Sequence, residues 1–297
     1  MSNTQKSSAM FVILIAGLFW SFGPLVVRNL DGAENIPWQY LLIRGLIIFL
    51  VLNLFLFLQE GYKFINNYKK IGSSGLVGGL CLGIANITFI LSLIHTTAAI
   101  TMLLLAALPF MTAILAFLIL GEKISRTTLI AIIISAIGIL IMTIESIEKG
   151  TLFGLLSGLL SALGFAGFTV SLRWKKNTPK FTTVSIAGIV CALFAFFVII
   201  FQNENLIISS KNSSLSALHG LLVCTGLILF SLKSKYLPAA DLTLLSLTEV
   251  LGGIFWVWLP LLGINETPSF TTLIGGVIIT FAIIYYGFNT RKYIFRY

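Results

Sequence analysis

Apolar residues in this chain fall in continuous runs, not in alternation, and short polar segments separate the runs. A helix needs roughly 20 mostly apolar residues to cross the hydrocarbon core of a bilayer, whereas a strand of a membrane barrel alternates and is about 10 residues long. The pattern therefore predicts transmembrane helices at about Met10–Val27, Trp38–Leu58, Gly75–Ile94, Ala98–Leu120, Thr127–Thr143, Leu152–Leu172, Thr182–Phe201, Ala217–Leu232, Leu242–Leu262 and Thr271–Phe288. Several of these are short for the core, which implies tilt or local thinning. Lys6 followed by an apolar run from Met10 has the look of a signal peptide. No small-x-small cleavage site follows it, so the run reads as a retained first helix. The expected fold class is an all-α membrane protein with ten transmembrane helices.

The chain also matches itself at a shift of 141 residues. Gly17, Leu18 and Gly23 fall on Gly158, Leu159 and Gly164, and Gly79, Leu80, Ile87, Phe89 and Leu91 fall on Gly220, Leu221, Ile228, Phe230 and Leu232. Ala98, Ala99, Leu103 and Leu104 fall on Ala239, Ala240, Leu244 and Leu245. Further on, Thr127–Ile130 matches Thr271–Ile274 at a shift of 144, which implies a three-residue insertion near Gly263–Asn265. Chance identities are common between apolar sequences, but a shared offset across separate helices is not. Residues 1–145 and 149–297 thus read as two five-helix repeats. Because five is odd, the second repeat enters from the opposite face, giving two inverted repeats. In transporters, that symmetry places a site near the midplane between the halves.

Charge changes the picture by fixing orientation. Only 10% of residues are charged and 58% are hydrophobic, against about 25% charged in soluble domains. The net charge of +9 is no nucleic-acid footprint, because the basic residues sit in connectors between apolar runs. Lys6, Lys63, Lys69, Lys70, Lys123, Arg126, Arg173, Lys175, Lys176, Lys180, Lys233, Lys235, Arg291, Lys292 and Arg296 fall on one side. Arg28, Lys149 and Lys211 fall on the other, and Arg44 lies within the second run. This bias puts both termini in the cytoplasm, in a multi-pass protein of the cytoplasmic (inner) membrane. Cys81, Cys191 and Cys224 lie inside apolar runs without metal-type spacing, and read as packed small hydrophobes. No Walker loop, metal cluster, nucleophile triad or phosphate-binding glycine loop is present. No enzyme, ATP-driven pump, metal or cofactor is expected.

The stretch Thr96–Lys123, TTAAITMLLLAALPFMTAILAFLILGEK, followed by a helix containing Ala136-Ile137-Gly138-Ile139-Leu140, resembles the EamA-type branch of the drug/metabolite transporter superfamily. The family pattern is an Ala-rich entry, a proline within the helix (Pro109), a Gly-Glu-Lys exit and a following glycine-bearing helix. The second copy departs from it, with Glu249-Val250 in place of Glu-Pro and Gly263–Glu266 in place of a tight Gly-Glu exit. The resemblance implies a ten-helix secondary carrier that exports amino acids or other metabolites. The expected partners are a small-molecule substrate and the lipid bilayer, with a proton or another coupling ion left open, in a monomer or weak homodimer. A lipid-linked-substrate flippase and a non-transporting structural subunit are the alternatives.

Ionisable groups inside a bilayer are costly, and each is a functional candidate. Glu249, in the ninth run, shares a helical face with Ser246, Gly253, Trp256 and Pro260. It reads either as a coupling carboxylate or substrate-amine contact, or as a carboxyl locking its helix to a neighbour. Arg44 reads as a grip on a substrate carboxylate, or as a side chain that snorkels to the outer interface or binds helix-end carbonyls. Trp20 is far from the interfacial belt and shares a face with Gly17, Ser21 and Pro24, which suits a cavity wall or core packing. Asn86 follows Gly79 and Gly83 on one stripe and suits interhelical glue or a substrate contact. Pro109 and Thr112 are further cavity candidates, since a proline within a span frees a carbonyl. His95 reads as a solvated or capping group, and Trp38, Tyr40, Trp174 and Trp258 read as interface anchors. One acid and one base inside the membrane suit a zwitterion such as an amino acid.

Overall fold

The computed structural model describes residues 3–124, 126–148, 152–175, 177–260 and 264–294. Lys149, Lys176 and Arg296 of the charge pattern, and Gly263 of the insertion, lie outside the described residues. Among the described residues there are helices and no strands. Eight segments are long and apolar enough to cross a membrane, and Leu129–Ile141 and Phe270–Ala282 are shorter apolar helical stretches. The chain is an integral, multi-pass membrane protein. Its outward side chains fit that setting: Phe11, Leu50, Leu54, Leu118, Phe197 and Val277 are all more than half exposed, a surface that only lipid tolerates.

Three of the ten expected spans are interrupted. The first is α1 (Asn3–Ser21) and α2 (Gly23–Arg28), with Pro24 at the start of α2. The fourth is α6 (Ala98–Leu105) and α7 (Leu108–Leu120), where Pro109 sits in the first turn of α7. A first-turn proline lacks only an N–H that would have no helical partner, so Pro109 starts a half-helix here. The ninth is α12 (Ala239–Leu245) and α13 (Thr248–Trp258), which break at Ser246–Leu247 with no proline. The intact helices are α3 (Pro37–Glu60), α5 (Gly72–His95), α8 (Arg126–Glu148), α9 (Leu152–Trp174), α10 (Lys180–Phe201), α11 (Ser210–Lys233) and α14 (Phe270–Ile294). A short α4 (Ile65–Lys69) follows α3 and a one-turn 3-10 segment.

Packing between the halves repeats itself. α5 packs on α9 as α11 packs on α1, α7 meets α9 as α13 meets α1, and α5 meets α10 as α11 meets α3. α3 packs on α10, and α8 on α14, each against its own counterpart. Glycines permit the closest approaches. A Cβ on Gly188 would stand 3.0 Å from the Gly45 carbonyl oxygen and 2.9 Å from the Phe49 nitrogen, so α3 and α10 touch backbone to backbone. Gly79 and Gly83 face Ile186 and Val190, while Gly154 and Gly158 face Thr96 and Leu104. This is small-residue packing of the kind expected where no hydrophobic drive separates helix from lipid.

Helix directions follow from the end contacts. α1 begins beside the end of α11, where Lys233 Nζ donates to Ser8 Oγ. The α1–α2 span ends at Arg28, which donates to the Thr96 carbonyl just past α5. α9 begins against that same turn, through Gly154 and Thr96. Just beyond its end, Lys175 donates to Ser73 Oγ at the start of α5. The first and sixth expected spans therefore run in opposite directions.

Candidate functional site

A cavity lies between α1, α3, α5, α9, α11 and the α6–α7 and α12–α13 breaks. Its wall includes Trp20, Arg44, Leu82, Asn86, Leu105, Leu108, Ser161, Phe165, His219, Val223, Leu227 and Glu249. Four pairs in that wall stand 141 residues apart: Trp20 and Ser161, Leu82 and Val223, Asn86 and Leu227, Leu108 and Glu249. The cavity thus sits where equivalent positions of the two halves meet. Its volume of ≈ 50 Å³ holds a few waters and no metabolite.

Arg44 is held from α5. Its Nη2 donates to Asn86 Oδ1 at 2.8 Å, and its Nη1 donates to the Asn86 carbonyl at 3.3 Å. The Asn86 amide donates in turn to the Leu82 carbonyl at 3.0 Å, which fixes the side chain's orientation. Arg44 is 2% exposed, so it does not snorkel to an interface. Its Nε is buried without a hydrogen-bond partner. Glu249 occupies the first turn of α13, immediately after the break, and reaches the cavity where Leu108 does in the other half. Among the described residues its carboxyl has no hydrogen-bond partner.

Trp20 closes one wall. Its indole N–H donates to the Val223 carbonyl at 3.2 Å, and its ring meets Phe165 edge-on at 5.3 Å and Phe230 at 5.6 Å. Ser161 donates to the Ala85 carbonyl at 3.0 Å.

The remaining candidates are placed outside the wall. Ser21 donates to the Leu18 carbonyl and accepts from Trp256 Nε1 at 2.9 Å. Trp256 stacks on Phe22 at 4.9 Å, and Gly253 lies against Met102 and Pro24. This is a helix–helix seam joining α2 to α13. Ser246 and Thr112 both donate back to their own helices, to Thr243 and Leu108. Pro109 is buried beside the wall without lining it.

Tyr40 is not an interface anchor. It is fully buried, and its hydroxyl is hydrogen-bonded to His219 Nδ1. His219 lines the cavity from α11 and was not marked out by any sequence pattern, being a single histidine in an apolar run. His95, in contrast, is exposed and meets Phe153 edge-on at 5.0 Å.

The model of the EamA-like transporter family matches residues 7–144. No curated protein matches the chain. One solved chain, described simply as a crystal structure of a protein, is 15% identical and aligns over 96% of this chain and 98% of its own, with a TM-score of 0.65. That likeness shows the fold, and it extends through the half that the family model leaves unmatched.

Proposed function

With residues 7–144 belonging to the EamA-like transporter family of the drug/metabolite transporter superfamily, we infer that this membrane transporter is a secondary carrier of small amino-acid-like or other polar or amphipathic solutes. In this reading it exports them across the cytoplasmic membrane by alternating access between two inverted five-helix repeats, 1–145 and 149–297. One observation carries the reading. A buried cation with a free donor, Arg44, and an acid that interacts with it electrostatically but has no hydrogen bond among the described residues, Glu249, line the same cavity where positions 141 residues apart meet. A buried donor without a partner costs free energy, and a solute carboxylate that accepts from it removes that cost. Glu249 is then the contact for an amine or for a coupling proton.

Two larger grooves are lined mainly by apolar residues and share none with the cavity. The charged groups therefore belong to a central path and not to a lateral one, which favours a polar solute over a lipid.

The test is flux of a labelled amino-acid and metabolite panel in proteoliposomes, comparing the wild type with Glu249→Gln. Saturable flux of one solute class, lost in the variant while the protein stays monodisperse, is the expected result. Flux that survives Glu249→Gln makes that residue a packing group. Absence of flux for every solute removes the carrier reading.

A further inference from the structure

Each end of the molecule carries an arginine clamp, and the carbonyl and glutamate of the two clamps stand at equivalent positions. At one end Arg28, closing α2, donates from Nε to Glu266 Oε2 at 2.7 Å. Its Nη1 and Nη2 donate to the Leu93 and Thr96 carbonyls, both at 2.7 Å. At the opposite end Arg173, closing α9, donates from Nη2 to Glu122 Oε1 at 2.8 Å and from Nη1 to the Leu237 carbonyl.

The correspondence is positional. Thr96 and Leu237 stand 141 apart, the repeat's main offset. Glu122 and Glu266 stand 144 apart, the offset past the insertion. Arg28 and Arg173 stand 145 apart, four residues off the main offset, but each lies in the last turn of the first helical span of its half. In each clamp the arginine and the carbonyl come from one half and the glutamate from the other. All four side chains keep a third or less of their surface exposed, so these are not freely solvated surface pairs. Charge-assisted bonds of this length are among the stronger hydrogen bonds.

We propose that Arg28–Glu266 and Arg173–Glu122 are the two gates of the transport cycle, one on each face, and that opening the cavity to either face requires release of that face's pair. The proposal rests on the alternating-access reading, and on the charge bias for naming the Arg28 side outer and the Arg173 side cytoplasmic. The physical reason lies in the crossing. A glutamate of one half bound to the arginine and loop of the other cannot stay bound while those segments part. Both clamps are formed here, and the cavity is too small for a solute. Symmetry supplies the rest: releasing one pair while keeping its equivalent interconverts two similar states. Which state is populated then depends on the difference between the clamps, and weakening one must bias the protein toward its own side.

The experiment reads access without needing the substrate. Ser161→Cys, on the cavity wall, serves as reporter in a chain whose Cys81, Cys191 and Cys224 are changed to Ala. A membrane-impermeant sulfonated maleimide is applied to right-side-out and to inside-out vesicles. Relative to this parent, Glu266→Gln should raise labelling from the outer face at least about fivefold, the lower range of a typical coupling between sites. Glu122→Gln should do the same from the cytoplasmic face, and the double variant should return the ratio of the two rates toward the parent. Arg28→Gln and Arg173→Gln should repeat the respective results, so one poorly folded variant does not decide the outcome. If the parent is labelled from each face and no variant shifts the ratio, the gate assignment is wrong while the carrier reading stands. Single variants that raise labelling equally from both faces also overturn it. A reporter unreachable from either face in parent and variants alike removes the cavity reading and the gates together.

Discussion

At the scale of single residues, the pair Arg44–Asn86 shows how a charge is kept inside a membrane. The guanidinium has five donors and no acceptor, and Asn86 takes two of them. Replacing Asn86 by Leu keeps the backbone carbonyl but removes the side-chain acceptor, leaving the buried cation with one further unused donor, at a cost of about 2 kcal/mol. Removing the charge as well, in Asn86→Leu/Arg44→Leu, deletes the groups that made the loss costly. The double variant should therefore melt at a higher temperature in detergent than Asn86→Leu alone. A double variant less stable than the single would show that Arg44 contributes through packing instead. For transport, Arg44→Lys keeps the charge and loses the planar fork. It should raise the KM for a carboxylate solute about tenfold, corresponding to about 1.4 kcal/mol, with little change in melting. An unchanged KM would separate Arg44 from the solute.

Among elements, the long apolar runs were legible because spanning the bilayer imposes a length and excludes alternation. The breaks were legible in part. Pro24 and Pro109 each stand in the first turn of a half-helix, a position proline favours, while the break at Ser246–Leu247 has no such residue. It is visible only through the repeat, which sets it on Leu105–Ala106, one residue before the break at Ala106–Ala107. Burial of Tyr40 was not legible, since a tyrosine near a helix end satisfies the interfacial pattern until α11 is seen to cover it with His219. The same holds for Ser21 and Trp256, whose spacing marked a polar face but not the fact that each would satisfy the other. Glycine spacing pointed to close helix contacts, and the α3–α10 crossing makes it testable. A side chain at Gly45 meets the Gly188 carbonyl oxygen and the Ala192 nitrogen, each at 2.8 Å, and backbone cannot yield as a flexible side chain does. Gly45→Val should lower the melting temperature in detergent far more than Gly61→Val, where no atom lies within 4 Å, although Gly61 has a positive φ of 57° and pays a local strain. Equal losses would show that the crossing is loose.

For the whole molecule, the decisive fact is that neither half buries its own interior. α5 has its chief partners in α9 and α10, α3 in α10 and α11, α1 in α11 and α13, and α8 in α14. The faces so covered carry glycines, Arg44 and Glu249, which make poor lipid contacts: the glycines offer little area for packing, and the ionisable groups are expensive in hydrocarbon. A half on its own leaves these faces in the bilayer, whereas the two together satisfy them without needing the peptide bond between them. Cutting the chain between Glu148 and Lys149 and expressing the pieces separately should give material that aggregates in detergent. Expressing both in one cell should give a one-to-one complex that elutes with the intact protein and restores its flux. The linker's contribution is then only effective concentration, so the complex should dissociate on dilution at a lower melting temperature than the intact chain. If either half alone is monodisperse and melts cooperatively, the repeats are independent domains, and a cavity built from equivalent positions of both halves would not be required for folding.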